Sequence, residues 1–213
     1  MKNLLFYTCH RQLDEINFSS FFFNKSNFLT KNFDVVIHCN NPIRTIDEIK
    51  AKAKFNTKVD IFLTTKNTGY NYGGIEATSD LFELFKQYST VIQLHPDCYI
   101  TNTKKLENCI SKTFDVMVSP FFHIGRMAYN TDFFCFNIKN NFLSSCHDNW
   151  KNNPNCVPEH FFYDVIREQK LNILEIERYP DLNGAAYRNI DNFGLWHCHD
   201  NSQVENAIRE ILK

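Results

Sequence analysis

The segment Thr90-Val91-Ile92-Gln93-Leu94-His95-Pro96-Asp97 runs from strand-forming residues into a polar turn holding an imidazole and a carboxylate. Three earlier segments follow the same plan. Residues 4–8 end in Thr8-Cys9-His10-Arg11, Phe33–Cys39 ends in Asn40-Asn41-Pro42, and residues 60–64 close a third run. Short apolar, β-branched and aromatic runs bounded by polar turns are the pattern of strands buried on both faces of a parallel sheet. Helical patterns lie between them. Residues 45–54 open with a capping box, Thr45-Ile46-Asp47-Glu48, and would bury Ile46, Ile49 and Ala53. Residues 74–88 carry Ile75, Leu81, Phe82, Leu84, Phe85 and Tyr88 mostly at three-to-four spacing, and residues 103–111 carry Leu106 and Ile110. Strand–helix alternation of this kind predicts an α/β fold with a parallel sheet.

The second half is less regular. Residues 115–119, 132–138 and 172–177 read as strands, and 140–155 as a polar, loop-rich stretch with a short helix around Trp150. Residues 158–169 read as a helix with Pro158 in its first turn and a stripe of Phe161, Phe162, Val165 and Ile166. Residues 202–212 read as a last helix opened by the capping box Ser202-Gln203-Val204-Glu205. No internal repeat, low-complexity tract or linker interrupts the chain, so residues 1–213 are expected to form a single domain.

Composition narrows the function classes. With 43% hydrophobic and 22% charged residues the chain is an ordinary globular sequence, and its net charge of -1 provides no basic field for nucleic acid or anionic lipid. An anionic ligand would therefore need a local site. The N-terminal run Leu4-Leu5-Phe6-Tyr7 is too short for a signal peptide or a membrane span, so a cytoplasmic protein is expected. Eight cysteines include no Cys-x-x-Cys pair, which argues against structural zinc or a disulfide framework. Cys109, Cys135 and Cys156 have apolar neighbours and read as small core residues.

Several constellations carry chemistry, each with a plainer alternative. Polar groups at strand C-termini line ligand crevices in open α/β sheets. On an extended segment His95 and Asp97 would point the same way, and Asp97 suits a divalent cation bridging to a diphosphate; it would otherwise stabilise a turn. Asn67-Thr68-Gly69-Tyr70-Asn71-Tyr72-Gly73-Gly74 would let backbone approach a ligand at a helix N-terminus, or would be a bare glycine turn. It is neither a dinucleotide fingerprint nor a P-loop. In Trp196-His197-Cys198-His199-Asp200 the two histidines would complete a metal site or lie on a surface. Asp132 would contact a sugar hydroxyl or join the chemistry, or cap a turn. Glu159, in the first turn of a helix, would be a general base or acceptor ligand, or merely answer the helix dipole.

Taken in order, these features resemble the GT-A glycosyltransferases, a Rossmann-like fold with a mixed, mostly parallel sheet flanked by helices. The match runs through Thr8 at the end of the first strand, the Asn67-x-Gly69…Gly73 loop, the Asp-x-Asp position at 95–97, the Thr131-Asp132-Phe133-Phe134 strand, Glu159 and the C-terminal histidines. It covers nearly the whole chain through short, loose motifs. One departure matters: His95 stands where the family's first Asp would be, which leaves Asp97 as the ligand and gives His95 the ribose or the metal's water shell.

The resemblance implies a nucleotide-sugar donor, UDP-linked by preference, a glycan or other hydroxyl acceptor, and Mn²⁺ or Mg²⁺ held by Asp97 with His197 or His199. It implies Thr8, His10, Arg11 and Asn40 around base and ribose, Asn67, Gly69, Tyr70, Asn71 and Gly73 on the nucleotide's other side, and Asp132 and Glu159 near sugar and acceptor. Residues 1–100 would then be the nucleotide-binding half and 101–213 the sugar and acceptor half. Within the family the chain is similar to chlorella-virus members, which carry further domains. The strand at 131–134 leans the expectation towards retention. Two other readings stand beside this one. A sugar-phosphate nucleotidyltransferase would carry a glycine-rich loop after the first strand, where this chain has Cys9-His10-Arg11-Gln12-Leu13. A non-catalytic carbohydrate-binding module would use the many Asn and Tyr residues.

Overall fold

The computed structural model describes residues 2–64, 73–139, 142–152, 156–176 and 194–213. The first half contains β1 (Asn3–Cys9), α1 (Leu13–Asn24), α2 (Asn27–Asn32), β2 (Phe33–Cys39), α3 (Ile46–Lys52), β3 (Val59–Leu63), α4 (Gly73–Asp80), α5 (Phe82–Phe85), β4 (Thr90–Leu94) and β5 (Cys98–Ile100). There follow α6 (Thr103–Ile110), β6 (Val116–Val118), β7 (Pro120–His123), β8 (Arg126–Tyr129) and β9 (Phe133–Asn137). The chain closes with α7 (Phe142–Asn152), α8 (Pro158–Glu168), β10 (Ile173–Glu175), β11 (Leu195–His197) and a final helix, α9 (Asn201–Ile211).

Seven strands form one sheet in the order β10-β6-β9-β4-β1-β2-β3. β9 runs antiparallel to both of its neighbours, and the other pairings are parallel. The sheet is thus mixed, mostly parallel and flanked by helices, as the GT-A resemblance implies, with the antiparallel β9 departing from the all-parallel sheet that the strand–helix alternation predicts. Alternation along the strands divides the core. Leu5, Tyr7, Val35, Ile37, Ile92 and Leu94 face one layer with Ile16, Phe23, Ile49 and Leu106 from α1, α3 and α6. Leu4, Phe6, Val36, Val91, Phe134 and Phe136 face the other, with Ile75, Phe85, Phe142, Phe161, Phe162 and Val165 from α4, α5, α7 and α8.

Several expectations are corrected. The helix expected over 74–88 is two, because the chain leaves α4 at Leu81 and restarts as α5; Tyr88 is buried from a turn beyond it. The stretch 140–155 holds α7, Phe142–Asn152, whose polar outer face hid it in the sequence. In α3 the capping box is present, but Ile46 is 41% exposed and the core contact falls to Ile49, with Ala53 just beyond the helix end. The cap of α9 is Asp200, whose carboxylate accepts from the Ser202 N–H at 2.9 Å, two residues earlier than the expected Ser202. Cys135 is buried, while Cys109 and Cys156 sit at the edge of the core.

α1 has no counterpart in the sequence reading, and its packing explains why. Ile16, Phe18, Ser19, Ser20, Phe22 and Phe23 are all buried, so it meets neighbours on more than one side and shows no single apolar stripe. One side faces the main sheet. Another meets a small third core of Phe18, Phe22, Tyr99, Trp196, Cys198, Val204 and Ala207. That core seats the two-stranded sheet β5–β11 beside α1 and α9. Among the described residues, no helix is long and apolar enough to cross a membrane.

Candidate functional site

The polar turn after β4 is where the site begins. His95 N–H donates to the Asp132 carbonyl at 3.0 Å, and Cys98 N–H closes back on the His95 carbonyl at 3.0 Å. Residues 95–98 therefore form a tight turn, and the expected extended pairing of His95 with Asp97 is corrected. The Ser19 hydroxyl of α1 donates to the Pro96 carbonyl at 2.9 Å and holds the turn from behind. The chain then enters β5, which pairs antiparallel with β11 so that Cys98 lies opposite His197. Cys198 N–H donates to the Asp97 carbonyl at 3.0 Å. Beneath, the Tyr99 and Trp196 rings pack 5.6 Å apart and Phe22 packs on both. A hundred residues of sequence separation are bridged by this apolar anchor.

Asp97 is 4% exposed. Its Oδ2 lies 2.8 Å from His199 Nδ1 and 3.7 Å from His197 Nε2. Burial alone would raise its pKa, but the His197 imidazole 3.7 Å away, the hydrogen bond with His199 and the charge of His95 hold it well below the usual carboxylate range. Asp97 stays ionised. One ligand atom from each of Asp97, His197 and His199 falls within 4.8 Å of the others. Asp97 Oδ1 is buried and has no hydrogen-bond partner, although buried polar atoms rarely go unsatisfied. Two imidazoles and one carboxylate, one of whose oxygens has no partner, fit a divalent transition metal. Both histidines, not one, reach Asp97.

A second carboxylate stands beside the first. In the β4–β9 register Leu94 lies opposite Phe133, which sets Asp132 beside His95. Asp132 Oδ1 lies 3.1 Å from His95 Nδ1, and its Oδ2 lies 3.6 Å from His197 Nδ1. Burial would raise the Asp132 pKa, but the hydrogen bond and charge of His95 bring it below the ordinary value. For His95 burial disfavours the charged ring; Asp132, then Asp97 and Glu159, outweigh it and raise its pKa. His199, Asp97, His197, Asp132 and His95 thus alternate in one continuous chain of groups.

A cleft opens beside this chain in two adjoining hollows that share Gly74 and His95. Thr8, His10, Asn40 and Gly73 line the first, at the ends of β1 and β2 and the start of α4. His10 Nδ1 meets Asn40 Oδ1 at 2.8 Å. Gly73 abuts Asn40, so that a Cβ at 73 would collide with the Asn40 amide. Gln93, Thr131, Glu159 and Phe162 line the second. Glu159 reaches it from the first turn of α8. Arg11 is exposed and lines neither hollow. Asn67, Gly69, Tyr70 and Asn71 lie outside the described residues. The sequence reading gave Gln93 and Thr131 no role of their own, and Gly74 only its place in the glycine turn. For Gln93 the signal was available, as a lone amide within an otherwise apolar strand.

No protein-family model matches the sequence, and no curated protein matches it. Solved structures do match in shape. A glycosyltransferase involved in glycosylation of the major capsid of PBCV-1 superposes over 99% of this chain and 99% of that one, with a TM-score of 0.61 at 10% identity. The galactosyltransferase LgtC, solved with donor and acceptor sugar analogs, matches over 97% of this chain and 93% of its own, with a TM-score of 0.56 at 10% identity. TarS from S. aureus, solved with UDP-GlcNAc, matches over 86% of this chain and 60% of its own, with a TM-score of 0.56 at 12% identity. The seven-stranded order with its one antiparallel insertion, and these superpositions, show that the chain has the GT-A fold of nucleotide-diphospho-sugar glycosyltransferases.

Proposed function

We propose that this chain is a metal-dependent glycosyltransferase that moves a sugar from a nucleoside diphosphate, UDP by preference, to an acceptor hydroxyl. The observation that carries the reading is the buried Asp97 with its orphaned Oδ1, joined by His197 and His199 and linked through Asp132 to His95, which lines a cleft between strand ends and a glycine-opened helix. Mn²⁺ or Mg²⁺ bound there by Asp97, His197 and His199 would supply Lewis-acid neutralisation of the departing diphosphate.

The chain's own residues do the positioning. Thr8, His10 and Asn40 would hold base and ribose, with Arg11 at the rim and Asn67, Gly69, Tyr70 and Asn71 closing the nucleotide's other side. The N–H groups at the start of α4 point a positive dipole end into the cleft, and Gly73 and Gly74 keep that end free of side chains. Asp132 fixes His95 at the junction of the two hollows. Glu159 faces the sugar and acceptor. Residues 1–100 would form the nucleotide half and 101–213 the sugar and acceptor half of a single domain. We read the transfer as retaining, because Asp132, the carboxylate that opens β9, is tied to His95 and His197 instead of standing free as a base. The compartment would be the cytoplasm, where eight free thiols stay reduced.

The test is direct. The protein is mixed with a panel of UDP-sugars and Mn²⁺, free UDP is assayed, and UDP binding is measured by calorimetry with and without metal. Release of UDP from one donor and metal-dependent nucleotide binding are expected. No release from any donor together with no metal-dependent binding would sink the reading. The anomeric configuration of the first product, read by NMR, decides retention; an inverted product would assign Glu159 as the base.

A further inference from the structure

We propose that Gln93 is a specificity residue that reads a polar edge of the transferred sugar, in a pocket it shares with Glu159; the inference rests on the glycosyltransferase reading of the cleft. Gln93 sits in β4, a central strand paired on both sides. Val91, Ile92 and Leu94 around it are fully buried, and its register neighbours are Phe6 and Phe134. Gln93 itself is 2% exposed. An amide in such surroundings is costly unless it is hydrogen-bonded. An aliphatic side chain would satisfy the sheet better, so the amide needs a reason to be there.

Half of that reason lies within the fold. The Thr78 hydroxyl of α4, on a residue also 2% exposed, lies 3.0 Å from Gln93 Oε1 and 2.8 Å from the Gly74 carbonyl, and so ties the amide to the first turns of α4. The other half lies in the cleft. Among the described residues Nε2 makes no hydrogen bond, and an amide nitrogen carries two donors. A Cβ built on Gly74 would come within 3.1 Å of Nε2. The bare glycine therefore acts as a window through which the amide meets the second hollow. A tethered oxygen and a presented nitrogen are the arrangement of a preorganised reader, in which little rotamer freedom is lost on binding.

The rest of the hollow completes the chemistry. Gln93 and Glu159 both line it, with Thr131 and His95 adding polar groups and Ile75 and Phe162 adding apolar wall. A sugar hydroxyl both donates and accepts, so it can take a hydrogen bond from the Gln93 amide and give one to the Glu159 carboxylate. The hollow measures about 40 Å³, which is room for roughly three water-sized groups. That space takes a hydroxyl or a hydroxymethyl arm and leaves the ring outside. The ligand class is accordingly a hexose presented edge-on, discriminated from sugars that lack the group or hold it in the other configuration.

The experiment compares Q93M, which keeps volume and removes the amide, and Q93E, which keeps shape and sets a carboxylate facing Glu159. Calorimetry with Mn²⁺ measures binding of UDP, UDP-glucose, UDP-galactose and UDP-xylose to wild type and both variants. UDP affinity is expected to change less than about twofold. Affinity for the best hexose donor, taken relative to UDP, is expected to fall about tenfold, with the preference among the three sugars largely erased. A purely structural Gln93 would shift stability and leave that ratio alone. If either folded variant binds UDP and keeps the wild-type ratio and preference, the assignment is overturned. If wild type binds no UDP, the reading of the whole cleft fails first, and the two failures are distinct.

Discussion

His38 offers a test of the packing that sets the cleft wall. It lies near the end of β2 and is 3% exposed. Its Nδ1 has no hydrogen-bond partner, and its Nε2 stays 3.7 Å from Asp80 on α4. Burial drives its pKa down from 6.5 to about 4, against weaker upward pulls from the Glu76 charge and its own backbone. The sign follows from proton counts. Between pH 4 and 6.5 the unfolded chain binds a proton at this position and the folded chain does not, so stability falls as pH falls through that window. At roughly 1.4 kcal/mol per pH unit, the full gap is worth about 3 kcal/mol, of which about 2 kcal/mol is gone by pH 5. His95 works the other way. Its raised pKa adds stability below its ordinary value that is lost as pH rises. Asp97 and Asp132, held low, lose their contribution only below the ordinary carboxylate range. A His38→Leu variant keeps all three and so isolates His38. Urea unfolding at pH 7.5 and pH 5 should show the wild-type midpoint falling by about 1 M more than the variant's, taking a slope of about 2 kcal/mol per molar. Equal falls in both proteins would refute the argument.

Asp97→Asn should weaken Mn²⁺ binding by at least about 100-fold, since changes even outside the ligand shell cost tenfold to 100-fold; unchanged affinity by calorimetry would remove Asp97 as a ligand. Trp196→Ala should cost about 3–5 kcal/mol by emptying the third core, and because its strand carries His197, Mn²⁺ affinity should fall with it. Thermal melting and metal titration check both halves, and a melt unchanged from wild type would contradict the anchor. His95→Asp alone should destabilise by setting two carboxylates together, whereas His95→Asp with Asp132→His should recover about 1–3 kcal/mol of coupling. Strict additivity in the melts would mean the pair does not interact.

Much of the fold was legible because buried strands announce themselves locally. Phe33–Cys39 and Thr90–Leu94 appear at the bounds the sequence sets, and the capping box at Thr45 forms as its spacing requires. What stayed hidden depends on partners distant in sequence. α1 carries no single stripe because it is buried on several sides. β5 and β11 are three-residue strands that exist through each other and through Phe22, Tyr99 and Trp196. At the site, Asp97 and the two histidines could be nominated by residue type, and their convergence needed that pairing. The extended-strand argument for His95 and Asp97 failed because Pro96 opens a turn closed by Cys98. Gln93 was passed over because periodicity assigns it to the core, where it does sit, without saying what its amide faces.

The departure at His95 and the carboxylate at Asp132 are one fact seen twice. In an Asp-x-Asp arrangement both carboxylates come from a single turn. Here the antiparallel register of β4 and β9 delivers the second one from the neighbouring strand, because Leu94 opposite Phe133 leaves Asp132 against the backbone and side chain of residue 95. A carboxylate at 95 would stand at hydrogen-bonding distance from Asp132, and two like charges that close cannot both ionise cheaply. An imidazole removes the conflict. It accepts the position, orients Asp132 through a 3.1 Å contact, and leaves the other Asp132 oxygen turned to His197. The count of carboxylates at the site is therefore kept at two, Asp97 and Asp132. What has changed is their division of labour: Asp97 keeps an oxygen without a partner, and Asp132 is committed to the imidazoles of His95 and His197.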